Sequence, residues 1–237
     1  DGQRRRFDIA FSLITRPEIL LLDEPTKDLG PAARGEFHEV IRYLAIGEGM
    51  TIILTTRDLA EAQRIGDRVA VLMQGRLVTQ CAPAEAWMRY PGTPCDFRDL
   101  LGHNWKETTS VEILNVRGLC KRYPSFELKD VSFAMQSGTI MGFVGRNGAG
   151  KSTTLKSMLN FVHPDAGGVE FFGLDFRNHE LEIKERISFT FGEVNFYPKK
   201  RIRDVTDVFR RFFRSWDETA YRCLLERFEL VETKKLD

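Results

Sequence analysis

The sequence predicts an α/β fold, a mixed sheet with flanking helices, and three observations predict it. An apolar strand, Ile140 to Val144, runs directly into a glycine-rich turn and then into a helix carrying Leu155, Met158 and Leu159 at helical spacing. A second apolar run, Ile19 to Leu22, has the length and composition of a parallel strand buried on both faces, and it ends in two adjacent carboxylates, Asp23 and Glu24. Between and around these runs, strand-like and helix-like periodicities alternate.

Taken in order, the chain opens on Asp-Gly-Gln-Arg-Arg-Arg with no initiator Met, and is expected to be a piece of something longer. Residues 5–16 predict a helix with Phe7, Ala10, Phe11 and Ile14 on one face, broken at Pro17. After the Ile19–Leu22 strand come a helix from about Ala32 to Ile46 and a buried strand, Thr51 to Thr55. Residues 58–66 predict a short amphipathic helix. Arg68–Leu72 and Arg76–Thr79, split by Gln74 and Gly75, predict a hairpin, and Pro83 to Tyr90 a last short helix. Residues 91–110 are rich in Pro, Gly and Thr and poor in periodicity, and predict a linker with a reach of ~60 Å when extended. Two antiparallel strands, VEILNVRGLCKRY and ELKDVSFAMQSG, lead into the glycine-rich turn. Val169–Phe172 predicts a strand, Glu180–Arg186 a helix and Ile187–Phe191 a strand. Ile202–Phe228 predicts one helix with Val205, Val208, Phe209, Phe212 and Phe213 as its apolar stripe.

Bulk properties narrow the function. A net charge of +1 offers no basic stripe for nucleic acid, so no nucleic-acid partner is expected. No apolar run approaches the ~20 residues that cross a bilayer, and no signal peptide is evident. The four cysteines, Cys81, Cys95, Cys120 and Cys223, lie far apart without a C-x-x-C pair, and the four histidines have no ligand spacing. Reduced thiols and a cytosolic setting are the expectation.

The chemistry lies in two patterns. Gly145, Gly150, Lys151 and Ser152 satisfy G-x-x-x-x-G-K-[ST] between a strand and a helix, the context of the P-loop nucleoside triphosphatases. Glycines let the backbone N–H groups of residues such as Asn147, Gly148, Ala149 and Gly150 turn toward a phosphate, and the helix N-terminus at Lys151, Ser152 and Thr153 adds positive partial charge. Lys151 can reach outer phosphates, and the Ser152 hydroxyl can ligate Mg²⁺. Asp23 and Glu24 sit at the C-terminal end of a strand, the edge where open α/β sheets bind ligands. One acid there can support Mg²⁺ and the other can orient or deprotonate an attacking water.

With GRNGAGKST, ILLLDEPT and DGQRRR in view, the chain resembles the nucleotide-binding domain of ABC transporters, across nearly its whole length outside the linker. DGQRRR is similar to the tail of the family's LSxGQ signature, which implies nucleotide contact through Gly2 and Gln3. Tyr123 matches the aromatic that stacks on adenine, and Glu193 stands where the family has a Mg²⁺-sensing glutamine. Ile187 to Pro198 and FFRSWD look like ATPases of the ABC-2-type exporter group. The resemblance implies ATP and Mg²⁺ as cofactors, a transmembrane permease and a second ABC ATPase domain as partners, and a location at the inner face of the cell membrane.

The motif order departs from the family. Signature and Asp-Glu strand precede the phosphate loop, so residues 1–90 resemble the C-terminal half of one cassette and 111–237 the N-terminal half of another, joined by the 91–110 linker. A tandem protein, two genes read as one, and a circular permutation all fit. The halves are expected to pair as one permuted domain, with Asp23 and Glu24 beside Lys151. Arg57 replaces the family's switch histidine, and a guanidinium cannot accept a proton. Gly30 replaces the communication aspartate. The functional expectation is an ATP-binding, ATP-hydrolysing subunit of a membrane exporter. The alternatives are a soluble tandem ATPase acting on ribosome or DNA, and a nucleotide-binding scaffold without turnover.

Overall fold

A computed structural model describes residues 2–27, 29–85, 111–191, 199–211 and 216–236, and the side chains of residues 2, 3 and 5 are outside that description. The first segment gives helix α1 (Gly2–Ser12), strand β1 (Ile19–Leu22), α2 (Pro31–Glu48), β2 (Thr51–Thr56), α3 (Leu59–Ile65), and a hairpin of β3 (Arg68–Met73) and β4 (Arg76–Cys81). The second gives β5 (Glu112–Tyr123), β6 (Phe126–Gln136), β7 (Ile140–Val144), α4 (Lys151–Met158), β8 (Ala166–Phe171), β9 (Leu174–Asp175), α5 (Glu180–Arg186), β10 (Ile187–Thr190), α6 (Ile202–Phe209) and α7 (Glu218–Arg227).

Local chemistry accounts for several boundaries. Pro31 opens α2, and Gly49, left-handed at φ 69°, closes it by donating to the Leu44 carbonyl. Asp58 caps α3 by accepting from the Ala60 and Glu61 N–H groups. Gln74 and Gly75 both have positive φ, 49° and 77°, which suits the tight turn of a right-twisted hairpin.

The two segments share one sheet. Its six strands run in the order β10-β1-β2-β7-β3-β4, so β7 from the second segment lies between β2 and β3 from the first. All pairings are parallel except β3 with β4. The register sets Ile52 opposite Ile140 and Thr56 opposite Val144. A four-stranded sheet, β6-β5-β8-β9, is antiparallel throughout. The β3–β4 turn joins the two sheets. Gly75 N–H donates to Ala149 O at 3.0 Å, and Gly75 O accepts from Lys129 N–H at 2.7 Å. A Cβ at Gly75 would sit 1.8 Å from the Glu127 carbonyl oxygen, so no side chain fits there.

The strand period of two divides the core. Ile19 and Leu21 face one side with Ile53, Leu72, Met141 and Phe143, covered by the antiparallel sheet and α4. Leu20 and Leu22 face the other with Ile52, Leu54 and Ile140, covered by α1, α2 and α6. Among the described residues, five ion pairs also join the segments: Arg6–Glu229, Arg16–Asp217, Glu18–Arg186, Glu48–Arg227 and Glu24–Lys151. Exposed pairs contribute about 0–1 kcal/mol each, against roughly 1.5–3 kcal/mol for each buried large aliphatic or aromatic side chain. Burial therefore decides the pairing.

The continuous helix expected over Ile202–Phe228 is divided into α6 and α7. Asp217 accepts from the Ala220 N–H and starts α7 afresh, a stop-and-start signal that the aromatic stripe conceals. Val205 is buried, Val208 is 39% exposed, and Phe209 meets Phe11 with ring centroids 4.7 Å apart. Phe212, Phe213, most of the expected 83–90 helix and the whole 91–110 linker lie outside the described residues.

The shared sheet predicts one unfolding transition for both segments. Leu21→Ala should lower stability by about 2–5 kcal/mol and Phe143→Ala by about 3–5 kcal/mol. Urea titration followed by far-ultraviolet circular dichroism and Trp fluorescence tests this; two separable transitions, each moved by only one substitution, would refute it.

Candidate functional site

The phosphate loop is held from both segments. It leaves β7 at Gly145, whose N–H donates to Thr56 O at the end of β2 (3.2 Å). Gly148 and Gly150 are left-handed at φ 76° and 110°. A Cβ at Gly150 would meet the Phe126 ring at 3.0 Å, so both conformation and space select glycine. Asn147 and Gly148 are exposed at the tip, whereas Ala149 is buried beneath the β3–β4 turn. Lys151, Ser152 and Thr153 form the first turn of α4, where N–H groups lack intrahelical partners and the helix dipole is positive.

Lys151 is 5% exposed and folds back over the loop. Its Nζ donates to Gly145 O at 2.7 Å and lies 3.2 Å from Glu24 Oε1. Residues 127 positions apart in sequence thus form one polar centre. Asp23 is buried and accepts from Thr55 Oγ1 at 2.5 Å, while the Glu24 N–H donates to the same Thr55 oxygen at 2.9 Å. Glu24 is left-handed at φ 44°, a conformation that costs a non-glycine residue on the order of 1–3 kcal/mol and persists only where surroundings fix it. Arg57, half exposed, brings Nε within 3.8 Å of Glu24 Oε2.

The hydroxyl of Ser152 and the carboxylate of Asp23 are hard oxygen donors, the type that suits Mg²⁺. Tyr123 ends β5 with its ring centroid 6.4 Å from that of Phe126, the ring next to Gly150, and so stands at the loop's margin. Lys121 Nζ lies 5.9 Å from the Tyr123 ring centroid. Gly2 and Gln3 open α1, which packs against β10 and α7. Glu193 lies outside the described residues. Gly30 has extended backbone before α2.

Behind Glu24 lies a buried polar network that the sequence reading missed. Glu61 on α3 is 4% exposed. Its carboxylate is 2.8 Å from His38 Nε2 and accepts from Thr56 Oγ1 at 2.6 Å. Burial pushes the Glu61 carboxyl up, but the hydrogen bonds from His38, Thr26 and Thr56 outweigh it and hold the group below its ordinary value. No spacing rule links residues 26, 38, 56 and 61. Only the helical position of Glu61, among the buried residues of a short helix, hinted at it.

Comparison with known proteins gives the following similarities. Residues 128–236 match the ABC transporter family. The chain is 31% identical to the uncharacterized ABC transporter ATP-binding protein YejF of Escherichia coli over 82% of this chain and 40% of that protein. It is 48% identical to the daunorubicin resistance ATP-binding protein DrrA3 of Streptomyces coeruleorubidus over 33% of this chain and 25% of that protein. It is 24% identical to the probable multidrug ABC transporter ATP-binding protein YbhF of Escherichia coli over 83% of this chain and 47% of that protein. The chain spans between a quarter and about half the length of these curated relatives.

The lowered Glu61 carboxyl carries a pH prediction. Its stabilising contribution is complete above the ordinary value of 4.5 and is lost as pH falls through the lower folded value. Acid unfolding should therefore steepen below pH 4.5, and Glu61→Gln should flatten that limb. Unfolding free energies measured between pH 3 and 6 check this; identical slopes in the two proteins would contradict it.

Proposed function

From the premise that the chain carries an ABC transporter ATPase domain, we propose that it binds and hydrolyses ATP as part of a membrane exporter. The observation that carries this reading is the 3.2 Å approach of Lys151 to Glu24 at the C-terminal edge of one parallel sheet. It joins a phosphate-binding cation to a carboxylate able to act on water.

In this reading the N–H groups from Gly145 to Thr153 cradle the phosphates, and Lys151 exchanges Glu24 for the outer phosphate oxygens. Glu24, released from the ammonium, orients and deprotonates the attacking water. Arg57 stands beside it as a charge stabiliser, since a guanidinium cannot serve as the base. Tyr123 stacks on adenine. Ser152 and Asp23 would hold Mg²⁺, which would offset phosphate charge. Gly2 and Gln3 would serve a nucleotide held by a second ATPase domain.

The interleaved sheet supports the reading of segments 1–90 and 111–237 as one domain with its motifs in permuted order, joined by a 91–110 linker. Similarity to YejF over 82% of this chain takes in both segments in the same order, which supports a longer tandem protein as their source. The exporter direction draws on the names of the daunorubicin resistance relatives. A transmembrane permease and a second ABC ATPase domain are the proposed partners, and the inner face of the cell membrane the proposed location. Among the described residues, no helix is long and apolar enough to cross a membrane.

Arg57 and Gly30 favour a second reading, a nucleotide-binding scaffold without turnover. Mg-ATP at a hundred times its Kd should stabilise the chain by about 2.7 kcal/mol, a rise of about 5–10 °C in Tm. Lys151→Ala should abolish that rise. Glu24→Gln should keep it and lower hydrolysis at least ~100-fold. Thermal shift and phosphate release decide the matter: binding with no difference between the parent chain and Glu24→Gln in turnover selects the scaffold, and no thermal shift at all removes both readings.

A further inference from the structure

Glu24 and Arg57 come from two loops that meet at the end of β2: Thr55 Oγ1 accepts the Glu24 N–H at 2.9 Å, and Thr56, between Thr55 and Arg57, is bonded to a buried carboxylate. Thr56 immediately precedes Arg57 and donates to Glu61 Oε2 at 2.6 Å, while the Thr26 hydroxyl, two residues after Glu24, helps to hold the Glu61 carboxyl below its ordinary value. Thr56 Oγ1 also accepts the Asp58 N–H at 3.0 Å, which closes the backbone around Arg57. The turn after Glu24 is fixed by Lys27 N–H donating to Glu24 O (3.1 Å) and Leu29 N–H donating to Thr26 O (3.1 Å). The carboxylate is also met by His38 of α2. An ionised carboxylate only accepts, so Nε2 is the donor. Nδ1 of His38 is buried with no hydrogen-bond partner among the described residues. The polar pull on this ring is thus directed wholly at Glu61.

We propose that Glu61 is a positioning residue for hydrolysis: it ties the Glu24 loop and the Arg57 loop to one point, and His38 fixes that point against α2. The proposal rests on the ATPase reading above. The hydrogen bonds of Glu61 go to His38 and Thr56 and not to the phosphate loop, so it acts through Glu24, which meets Lys151, and Arg57, which meets Glu24. The left-handed backbone of Glu24 is the feature that requires such an anchor, because a strained conformation relaxes once its surroundings loosen. β2 and α2 supply the donors Thr56 and His38 and α3 the acceptor, and a shift in any of them is transmitted to the Glu24–Arg57 separation, 3.8 Å in this structure.

The test uses the full 237-residue chain, with Mg-ATP turnover and ATP affinity measured separately. Glu61→Gln keeps the shape but replaces one acceptor oxygen by a donor. It should lower kcat about tenfold while the Kd for ATP changes by less than about twofold, as expected for misplacement of reacting groups and not of the binding loop. His38→Ala should give a similar loss, and His38→Gln, which restores an N–H donor, should recover most of it. A merely structural role would lower the fraction of folded chain without separating kcat from Kd, and a kcat within twofold of the parent in Glu61→Gln overturns the proposal. Should the parent chain bind ATP without turning it over, the ATPase reading fails first. The same variants are then read by affinity for ADP with aluminium fluoride, a transition-state mimic. A tenfold loss in Glu61→Gln with ATP affinity retained upholds the positioning role, and no loss rejects it.

Discussion

The insertion of β7 between β2 and β3 is the constraint on which the remainder depends. β7 is an interior strand paired with β2 on one edge and β3 on the other, and both partners belong to the first segment. Once Ile52 pairs with Ile140 and Arg68 with Met141, the C-terminal ends of β1, β2 and β7 are brought level. That alignment carries Asp23 and Glu24, Thr55 to Arg57, and Gly145 to Lys151 to one edge. The site is a consequence of register, because a slip of one residue would turn each buried side chain to the opposite face.

Burial supplies the energy for this arrangement and polar groups supply its precision. Strands β1 and β7 are apolar throughout, and the two core clusters each draw residues from both segments. The exposed ion pairs between segments are too solvated to drive association. The buried polar contacts are different: Thr55 with Asp23, Thr56 with Glu61, and Lys151 with Gly145 O each satisfy a group that would be costly to leave unpaired. They also hold Glu24 in a backbone conformation that it would not keep in a free loop.

The chemistry follows from that geometry. In this structure the Lys151 ammonium is shared between a loop carbonyl and Glu24, so phosphate oxygens compete with a carboxylate for the same cation. In the proposed reading, nucleotide binding and release of Glu24 are one event. Arg57 keeps a positive charge near Glu24 but removes a proton acceptor from the place where the resembled family has one.

Much of this was legible in the residues. The G-x-x-x-x-G-K-[ST] spacing fixes its own local geometry, since Gly150 needs left-handed backbone and the lysine follows at a helix start. The ILLL run ending in Asp23 and Glu24 announced a buried strand and a polar edge for the same local reason. Local signals also misled. The phenylalanines after Ile202 suggested one helix where Asp217 starts a second. What tertiary structure alone decided is which distant residues meet. Strand order, the bracing of Ala149 by Gly75, and the meeting of His38 with Glu61 depend on contacts between residues far apart in sequence. Spacing encodes what lies within a few residues along a strand or helix; partners across a sheet are chosen by burial and register, which exist only once the chain has folded.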